Sequence, residues 1–148
     1  MAADDTPLVL VVEDDDAVRG FLTFALENGG HTALGVSSGE EAMAVLRTTP
    51  VSVILVDGIL PDMHGIRLAR AILDDPAFER VGVSFVTGAI RDGRPPMAGV
   101  GAMSKPLRAR DLVVAVETLL SWRDAGGSPT TDRRAALAEL EQIFLVGA

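Results

Sequence analysis

Acidic, hydroxyl and basic side chains follow short apolar runs of this sequence, and each run is typical of a buried strand. Glu13 and Asp14 follow "LVLVV", Asp57 follows "VSVILV", Thr87 follows "VGVSFV", and Lys105 follows a fourth short run. Carboxylates that share one crevice repel each other and need a cation, and oxygen ligands favour Mg²⁺, which often binds phosphate groups. These residue types together indicate a Mg²⁺-dependent phosphoryl site with a carboxylate nucleophile and a lysine for the phosphoryl oxygens.

Strand-like runs alternate with helix-period stretches along the chain, and this alternation would position the polar residues. Leu8–Val12 is continuously apolar, as a strand buried on both faces should be. The next stretch has apolar residues at helical spacing, namely Val18, Phe21, Leu22 and Ala25. Such alternation predicts right-handed βαβ units and a parallel sheet. Ligands bind at the carboxyl ends of parallel strands, so we expect the polar residues to meet there.

The composition limits the class of protein. The chain has 148 residues, of which 48% are hydrophobic and 23% charged, which is typical of one globular domain. Its net charge of −8 disfavours nucleic acid and anionic membranes, so we expect neither as a partner. The lack of cysteine excludes thiolate metal sites and cysteine catalysis. No apolar run approaches the roughly 18 residues of a membrane span, and we expect a cytoplasmic protein.

Four segments contain these polar residues in a defined order: "LVVEDDDAVR", "VILVDGILPDMHG", "FVTG" and "SKPL". In that order they resemble the four motifs of response-regulator receiver domains of two-component signalling, over residues 7–122. The resemblance implies an α/β, flavodoxin-like fold: a five-stranded parallel sheet in the order 2-1-3-4-5 with helices on both faces. It also implies a phosphoprotein that is not a conventional enzyme, because it accepts a phosphoryl group and can release it by its own hydrolysis.

The resemblance assigns metal-binding and phosphoacceptor roles to the acids. Asp57 is expected to form the aspartyl phosphate and also to contact Mg²⁺. Asp14 is expected to be the direct Mg²⁺ ligand, while Glu13 acts mainly through metal-bound water. The backbone carbonyl of Ile59 would complete the protein's share of the metal shell. The acids at 15–16 are instead expected to cap the first helix, because aspartate suits helix N-termini.

The resemblance also assigns the residues that would hold the phosphoryl group. Thr87 is expected to bind one phosphoryl oxygen, and Lys105 is expected to pair with the phosphoryl group. The Lys105–Pro106 peptide bond is expected to be cis. The donor of the phosphoryl group would be a histidine kinase or a histidine phosphotransfer protein.

The segment between Thr87 and Lys105 departs from the family pattern. It is shorter than in most receivers, and Pro95, Pro96 and several glycines disfavour a full helix. We therefore expect the fourth helix to be shortened or replaced by a loop. Ala102 stands where an aromatic switch residue usually lies, so we hypothesise that phosphorylation is read by ordering of a loop at 88–101.

The same segment partly resembles the receiver subgroup that has a Phe-Ala-Thr-Gly-hydrophobic-Tyr motif and a reduced fourth helix. Phe85, Thr87 and Gly88 match that motif. Residues 86, 89 and 90 are Val, Ala and Ile and do not match it. Membership of the subgroup is therefore left open.

The end of the chain adds a segment that the resemblance does not cover. Residues 123–131 are typical of a linker, and 132–146 have a helical period. An apolar stripe would comprise Ala136, Leu137, Leu140 and Phe144, with Arg133, Arg134, Glu139 and Glu141 facing water. The stretch is too short for a DNA-binding output domain. It could pack on its own domain, form a dimer or partner contact, or fray, although an isolated helix of this length would be marginal.

We predict a single-domain response regulator that acts in a phosphorelay, with a downstream protein partner and a monomeric or weakly dimeric state. One alternative is a pseudo-receiver, a protein-binding module of the same fold that is never phosphorylated. A second is a Mg²⁺ phosphohydrolase with an aspartate nucleophile. Such enzymes usually place a second acid two residues after the nucleophile, where this chain has Ile59.

Overall fold

The fold is one mixed β-sheet with helices on both faces. The computed structural model describes residues 6–145. Its elements, in chain order, are β1 Leu8–Val12, α1 Asp16–Asn28, β2 Thr32–Val36, α2 Gly39–Thr48, β3 Val53–Val56, α3 Gly65–Asp74, a 3₁₀ turn Pro76–Phe78, β4 Gly82–Thr87, β5 Arg94–Met97, β6 Val100–Ser104, α4 Ala109–Asp124 and α5 Thr130–Ile143. Among residues 6–145, no helix combines the length and the apolar character that crossing a bilayer requires.

The five strands that alternate with helices are parallel and lie in the order β2-β1-β3-β4-β6. This confirms the predicted flavodoxin-like order. The central strand β3 is almost completely inaccessible to solvent along its length. Its continuous apolar sequence follows from that position, because helices cover it on both faces.

The segment between β4 and β6 forms no helix, as predicted, but it is not the expected loop. Arg94–Met97 forms a sixth, antiparallel strand, β5, on the outer side of β6. Ala98 and Gly99 connect the two strands with φ angles of 53° and 74°, which a tight hairpin turn requires. Prolines 95–96 are tolerated because an edge strand need not donate every N–H group. Residues 94–100 therefore already form an ordered hairpin, so phosphorylation cannot act by ordering a loop in that part of the 88–101 segment.

The helices form one layer on each face of the sheet. Leu22 and Leu26 of α1 pack with Leu112 and Leu119 of α4 in one core cluster. Helices α2, α3 and α5 pack in the other cluster. Each fully buried leucine or isoleucine contributes about 1.5–3 kcal/mol, so these two layers hold the sheet in place.

The C-terminal helix α5 covers the part of the sheet that has no helix between β4 and β6. It contacts α3, β5 and β6, and its Leu137 and Leu140 are buried in the core. The helix comprises Thr130–Ile143, whereas the sequence predicted 132–146, and residue 146 lies outside the described range. The apolar stripe thus faces this domain.

Arg133 is buried, which corrects the expectation that it faces water. Only 1% of the residue is exposed, and its guanidinium lies 4.7 Å from the centre of the Trp122 ring. It donates hydrogen bonds to the backbone carbonyls of Phe78, Glu79, Val81 and Ala98. Burial lowers the pKa of Arg133 to about 10, so the group stays charged at neutral pH. The guanidinium therefore attaches the start of α5 to the segment before β4 and to the turn between β5 and β6.

Replacement of Arg133 by lysine should weaken this attachment. One ammonium group cannot reach the same acceptors, and unsatisfied buried carbonyls are costly, so Arg133→Lys should lower the free energy of unfolding by about 2–4 kcal/mol. Urea titration followed by circular dichroism measures this. Arg134→Lys is the matched control: Arg134 forms an exposed pair with Asp74, and its loss should cost under about 1 kcal/mol. Equal losses in the two variants would contradict the assignment.

Candidate metal and phosphoryl site

The parallel pairing of β1 with β3 brings the predicted acids together. Val12 lies opposite Val56, so the residues that follow the two strands leave the sheet at the same edge. One carboxylate oxygen from each of Glu13, Asp14 and Asp57 lies within 4.8 Å of the others. The acid cluster that the sequence predicted at this edge is present in the structure.

Lys105 reaches into this cluster from the end of β6. Its Nζ lies 2.5 Å from Oε1 of Glu13 and 3.1 Å from Oδ2 of Asp57. Burial tends to lower the pKa of Lys105, but the hydrogen bonds to Glu13 and Asp57 outweigh burial and raise it. Burial raises the pKa of Glu13 despite the contact with Lys105. Lys105 therefore stays charged, because its ammonium contacts two carboxylates at once.

The turn after β3 holds the Asp57 carboxylate in a defined orientation. The Ile59 N–H donates to Oδ1 of Asp57 over 3.3 Å, so the Ile59 peptide lies beside this carboxylate. The Gly65 N–H donates to the carbonyl of Gly58 over 2.7 Å and closes the turn. A Cβ atom on Gly65 would lie 2.3 Å from the backbone oxygen of Asp57, so only glycine fits there. This close approach explains the glycine that ends the turn and begins α3.

Thr87 ends β4, the neighbour of β3, and is fully buried. Its Oγ1 accepts a hydrogen bond from the Ala89 N–H over 3.1 Å. The Lys105 N–H donates to the Thr87 carbonyl, and the Lys105–Pro106 bond is cis, which confirms the predicted isomer. Thr87 and Lys105 therefore lie at the same edge of the sheet as the acids.

The donor set fits Mg²⁺. The cluster offers only oxygen ligands, which is the preference of this cation, and Asp14 is exposed while Glu13 is buried. The Asp14 side of the cluster is therefore the side open to solvent. Asp15, by contrast, accepts a hydrogen bond from the Val18 N–H at the start of α1, which confirms its predicted capping role.

The fold and the site together define a class of α/β domain that has an acidic, lysine-containing site at the carboxyl ends of parallel strands. The family model described as "Response regulator receiver domain" matches residues 9–117. The chain belongs to this family of response-regulator receiver domains.

Similarity to individual proteins agrees with this assignment. The chain is 34% identical to the response regulator receiver protein CpdR of Brucella abortus (strain 2308) over 76% of this chain and 95% of that protein. It is also 34% identical to the transcriptional regulatory protein TorR of Escherichia coli O157:H7, but it spans only 50% of that protein. The crystal structure of a sensor protein from Polaromonas sp. JS666 has 25% identity and a TM-score of 0.71, and the match covers 79% of this chain and 98% of that one.

Phe144 lies beside the candidate site, and the sequence did not indicate this. The helical period predicts only that Phe144 belongs to the apolar stripe of α5. In the structure the ring contacts Phe85 and His64 edge-on, with centroid distances of 5.2 and 5.0 Å. One sequence signal was available: Gly58, the residue directly after Asp57, leaves the room that the ring occupies.

Removal of one acid should weaken Mg²⁺ binding. Asp14→Asn replaces an exposed carboxylate of the cluster by a neutral amide, so we expect Mg²⁺ affinity to fall at least about tenfold. Isothermal titration of the protein with MgCl₂ measures the affinity. Asp16→Asn is the matched control, because Asp16 is 91% exposed, pairs with Arg19 and lies outside the cluster. An unchanged affinity in Asp14→Asn would refute the metal assignment.

Proposed function

We propose that this chain acts as a response-regulator receiver that is phosphorylated on Asp57 by a histidine kinase or a histidine phosphotransfer protein. Mg²⁺ is its cofactor, and its signal passes to a downstream protein within a phosphorelay. The meeting of Glu13, Asp14 and Asp57 with the Lys105 ammonium is the observation that carries this proposal. Membership of the receiver family supports it.

In the proposed reaction, a carboxylate oxygen of Asp57 attacks the phosphorus of a phosphohistidine, and the N–P bond breaks as the new O–P bond forms. The Ile59 N–H keeps the Asp57 carboxylate oriented during the attack. Lys105 leaves its present carboxylate partners in part and binds a phosphoryl oxygen, and Thr87 donates its hydroxyl hydrogen to another. Bound Mg²⁺ would neutralise charge on the transferring group. Glu13, Asp14 and the Ile59 carbonyl are the groups proposed to hold the ion with Asp57.

The relatives support the receiver role. The chain covers 95% of CpdR, which is described as a receiver protein, and half of TorR, which is described as a transcriptional regulator. An output through protein contacts, without nucleic acid or membrane, fits the net charge of −8. A cytoplasmic location and a monomeric or weakly dimeric state are part of the proposal.

Two other functions from the sequence are less well supported. A pseudo-receiver would not need the acids, the threonine and the lysine together at one edge. A phosphohydrolase would benefit from a second acid two residues after Asp57, and Ile59 stands there. The proposed receiver is the function that uses every polar side chain of the cluster.

Phosphorylation can be tested directly with a small donor. Incubation with acetyl phosphate and Mg²⁺ should raise the intact mass by one phosphoryl group, roughly 80 Da. The adduct should be absent in Asp57→Asn and present in the control Asp16→Asn. If the wild-type protein gains no mass, the pseudo-receiver is favoured. Steady release of phosphate from many phosphate esters would instead favour the hydrolase.

The phosphoryl group should be long-lived. Ile59 and Ala89, each two residues after a site residue, offer no polar side chain that could orient an attacking water. Ile59 is 42% exposed, so Ile59→Asn introduces an amide at little packing cost and should shorten the half-life of the adduct several-fold. Ile59→Leu, which adds no polar group, is the control. Loss of the wild-type adduct within seconds, followed by mass spectrometry, would contradict this prediction.

A further inference from the structure

We propose that the segment Phe144–Leu145, which follows α5, responds to phosphorylation of Asp57. The segment lies against the site in the unphosphorylated protein and is released when Asp57 carries a phosphoryl group. This inference deepens the proposed function and rests on it. Release would expose the apolar ring of Phe144 and the surface beneath it to a downstream protein.

The ring of Phe144 occupies a space directly beside the proposed phosphoacceptor. A Cβ atom on Gly58 would lie 2.3 Å from Cε1 of Phe144 and 3.2 Å from Oγ1 of Thr87. The ring and the hydroxyl therefore border the same small space, next to Asp57. Any residue larger than glycine at position 58 would displace the ring, so Gly58 provides the space in which Phe144 packs.

The ring also joins two elements that meet at the site. It makes edge-on contacts with Phe85 of β4 and with His64, which caps α3 through its Nδ1 atom. Such edge-to-face pairs are favourable because the positive ring edge meets the negative ring face. The position of Phe144 therefore depends on the spacing between β4 and the turn that follows β3.

A backbone contact ties the same segment to Thr87 through one residue. The Leu145 N–H donates to the Ala89 carbonyl over 2.7 Å, and Phe144 forms an antiparallel bridge with Ile90. The Ala89 N–H in turn donates to Oγ1 of Thr87 over 3.1 Å. If the Thr87 hydroxyl moves, the Ala89 peptide that is bonded to it moves as well, and the hydrogen bond from Leu145 to Ala89 is disturbed.

A phosphoryl group on Asp57 would offer the Thr87 hydroxyl an anionic acceptor for its hydrogen, in addition to the Ala89 N–H that the hydroxyl oxygen already accepts. A hydroxyl donates more strongly to an anionic oxygen than to a neutral acceptor. As Thr87 and the peptide of Ala89 turn towards Asp57, the Ala89 carbonyl moves away from Leu145. Ala102 offers no aromatic ring that could follow this motion from within the sheet. Phe144 supplies the aromatic group from the C-terminal segment instead.

Coupling between two sites is reciprocal, so weakening the contact of the segment must favour the phosphorylated state. Beryllium fluoride with Mg²⁺ is a non-covalent mimic of the phosphoryl group and can be titrated. Variants that release Phe144–Leu145 should therefore bind beryllium fluoride more tightly, by about fivefold or more, which is the lower end of usual allosteric couplings.

The first test is hydrogen exchange of the full-length protein with and without beryllium fluoride and Mg²⁺. The peptide that contains Leu145 should exchange at least about tenfold faster in the bound form, because its hydrogen bond to Ala89 is lost. The exchange rate of a peptide that spans Leu112–Leu119 of α4 should be unchanged, and this peptide serves as the internal control. Unchanged or slower exchange at Leu145 would overturn the proposal.

The second test uses substitutions in the segment itself. Leu145→Pro removes the N–H donor without forcing Phe144 to move, because Phe144 already has the extended backbone (φ −66°, ψ 134°) that a following proline requires. Leu145→Ala keeps the donor and is the matched control. Titration followed by ¹⁹F NMR should show tighter beryllium fluoride binding in Leu145→Pro and Phe144→Ala, and unchanged binding in Leu145→Ala.

These outcomes separate the two proposals. Wild-type protein that gains mass with acetyl phosphate, but whose Leu145 exchange and variant affinities do not change, would reject the release of the segment and leave the receiver function standing. Equal or weaker binding in Leu145→Pro and Phe144→Ala would also reject release. Wild-type protein that neither gains mass nor binds beryllium fluoride would reject the phosphorylation mechanism and the release together.

Discussion

Electrostatic repulsion at one edge of the sheet is the constraint on which the site depends. Parallel pairing of β1 with β3 directs Glu13, Asp14 and Asp57 to the same place, where their oxygens lie within 4.8 Å of one another. Negative charges this close are unfavourable in a partly buried setting. The Lys105 ammonium relieves part of the repulsion by contacting two of the three carboxylates. One ammonium does not neutralise three carboxylates, so the cluster retains negative charge that a second cation can compensate.

The packing of the surrounding core compensates for the electrostatic repulsion within the acid cluster. Strands β1 and β3 end at the acids and are among the most deeply buried segments, with helix layers above and below them. Because these strands cannot shift without exposing apolar residues, the backbone positions of the three acids cannot move apart to lower the repulsion. Helix α5 belongs to the same support, since it completes the layer over β5 and β6. The rigidity that holds the acids together thus comes partly from a segment outside the 9–117 family match.

Local patterns predicted most of the fold and the membership of the acid cluster. The parallel pairing, the cap at Asp15 and the convergence of the acids follow from apolar periodicity and from residues at strand ends. The order of the strands was instead implied by the resemblance to receiver domains. The features that escaped prediction depend on contacts distant in sequence. Arg133 looked like a surface residue because its carbonyl acceptors belong to other elements. Strand β5 was missed because two prolines disfavour a strand unless it lies at an edge.

The prolines of β5 also bear on self-association. An exposed edge strand is a template on which another chain can add a strand, and natural sheets block this growth in several ways. Here the outermost strand, Arg94–Met97, contains Pro95 and Pro96, which have no N–H to offer an incoming strand. Strand β5, which stands in place of a helix, therefore also prevents the sheet from growing at this edge. The chemistry of this edge therefore protects the sheet against the addition of a strand from another chain.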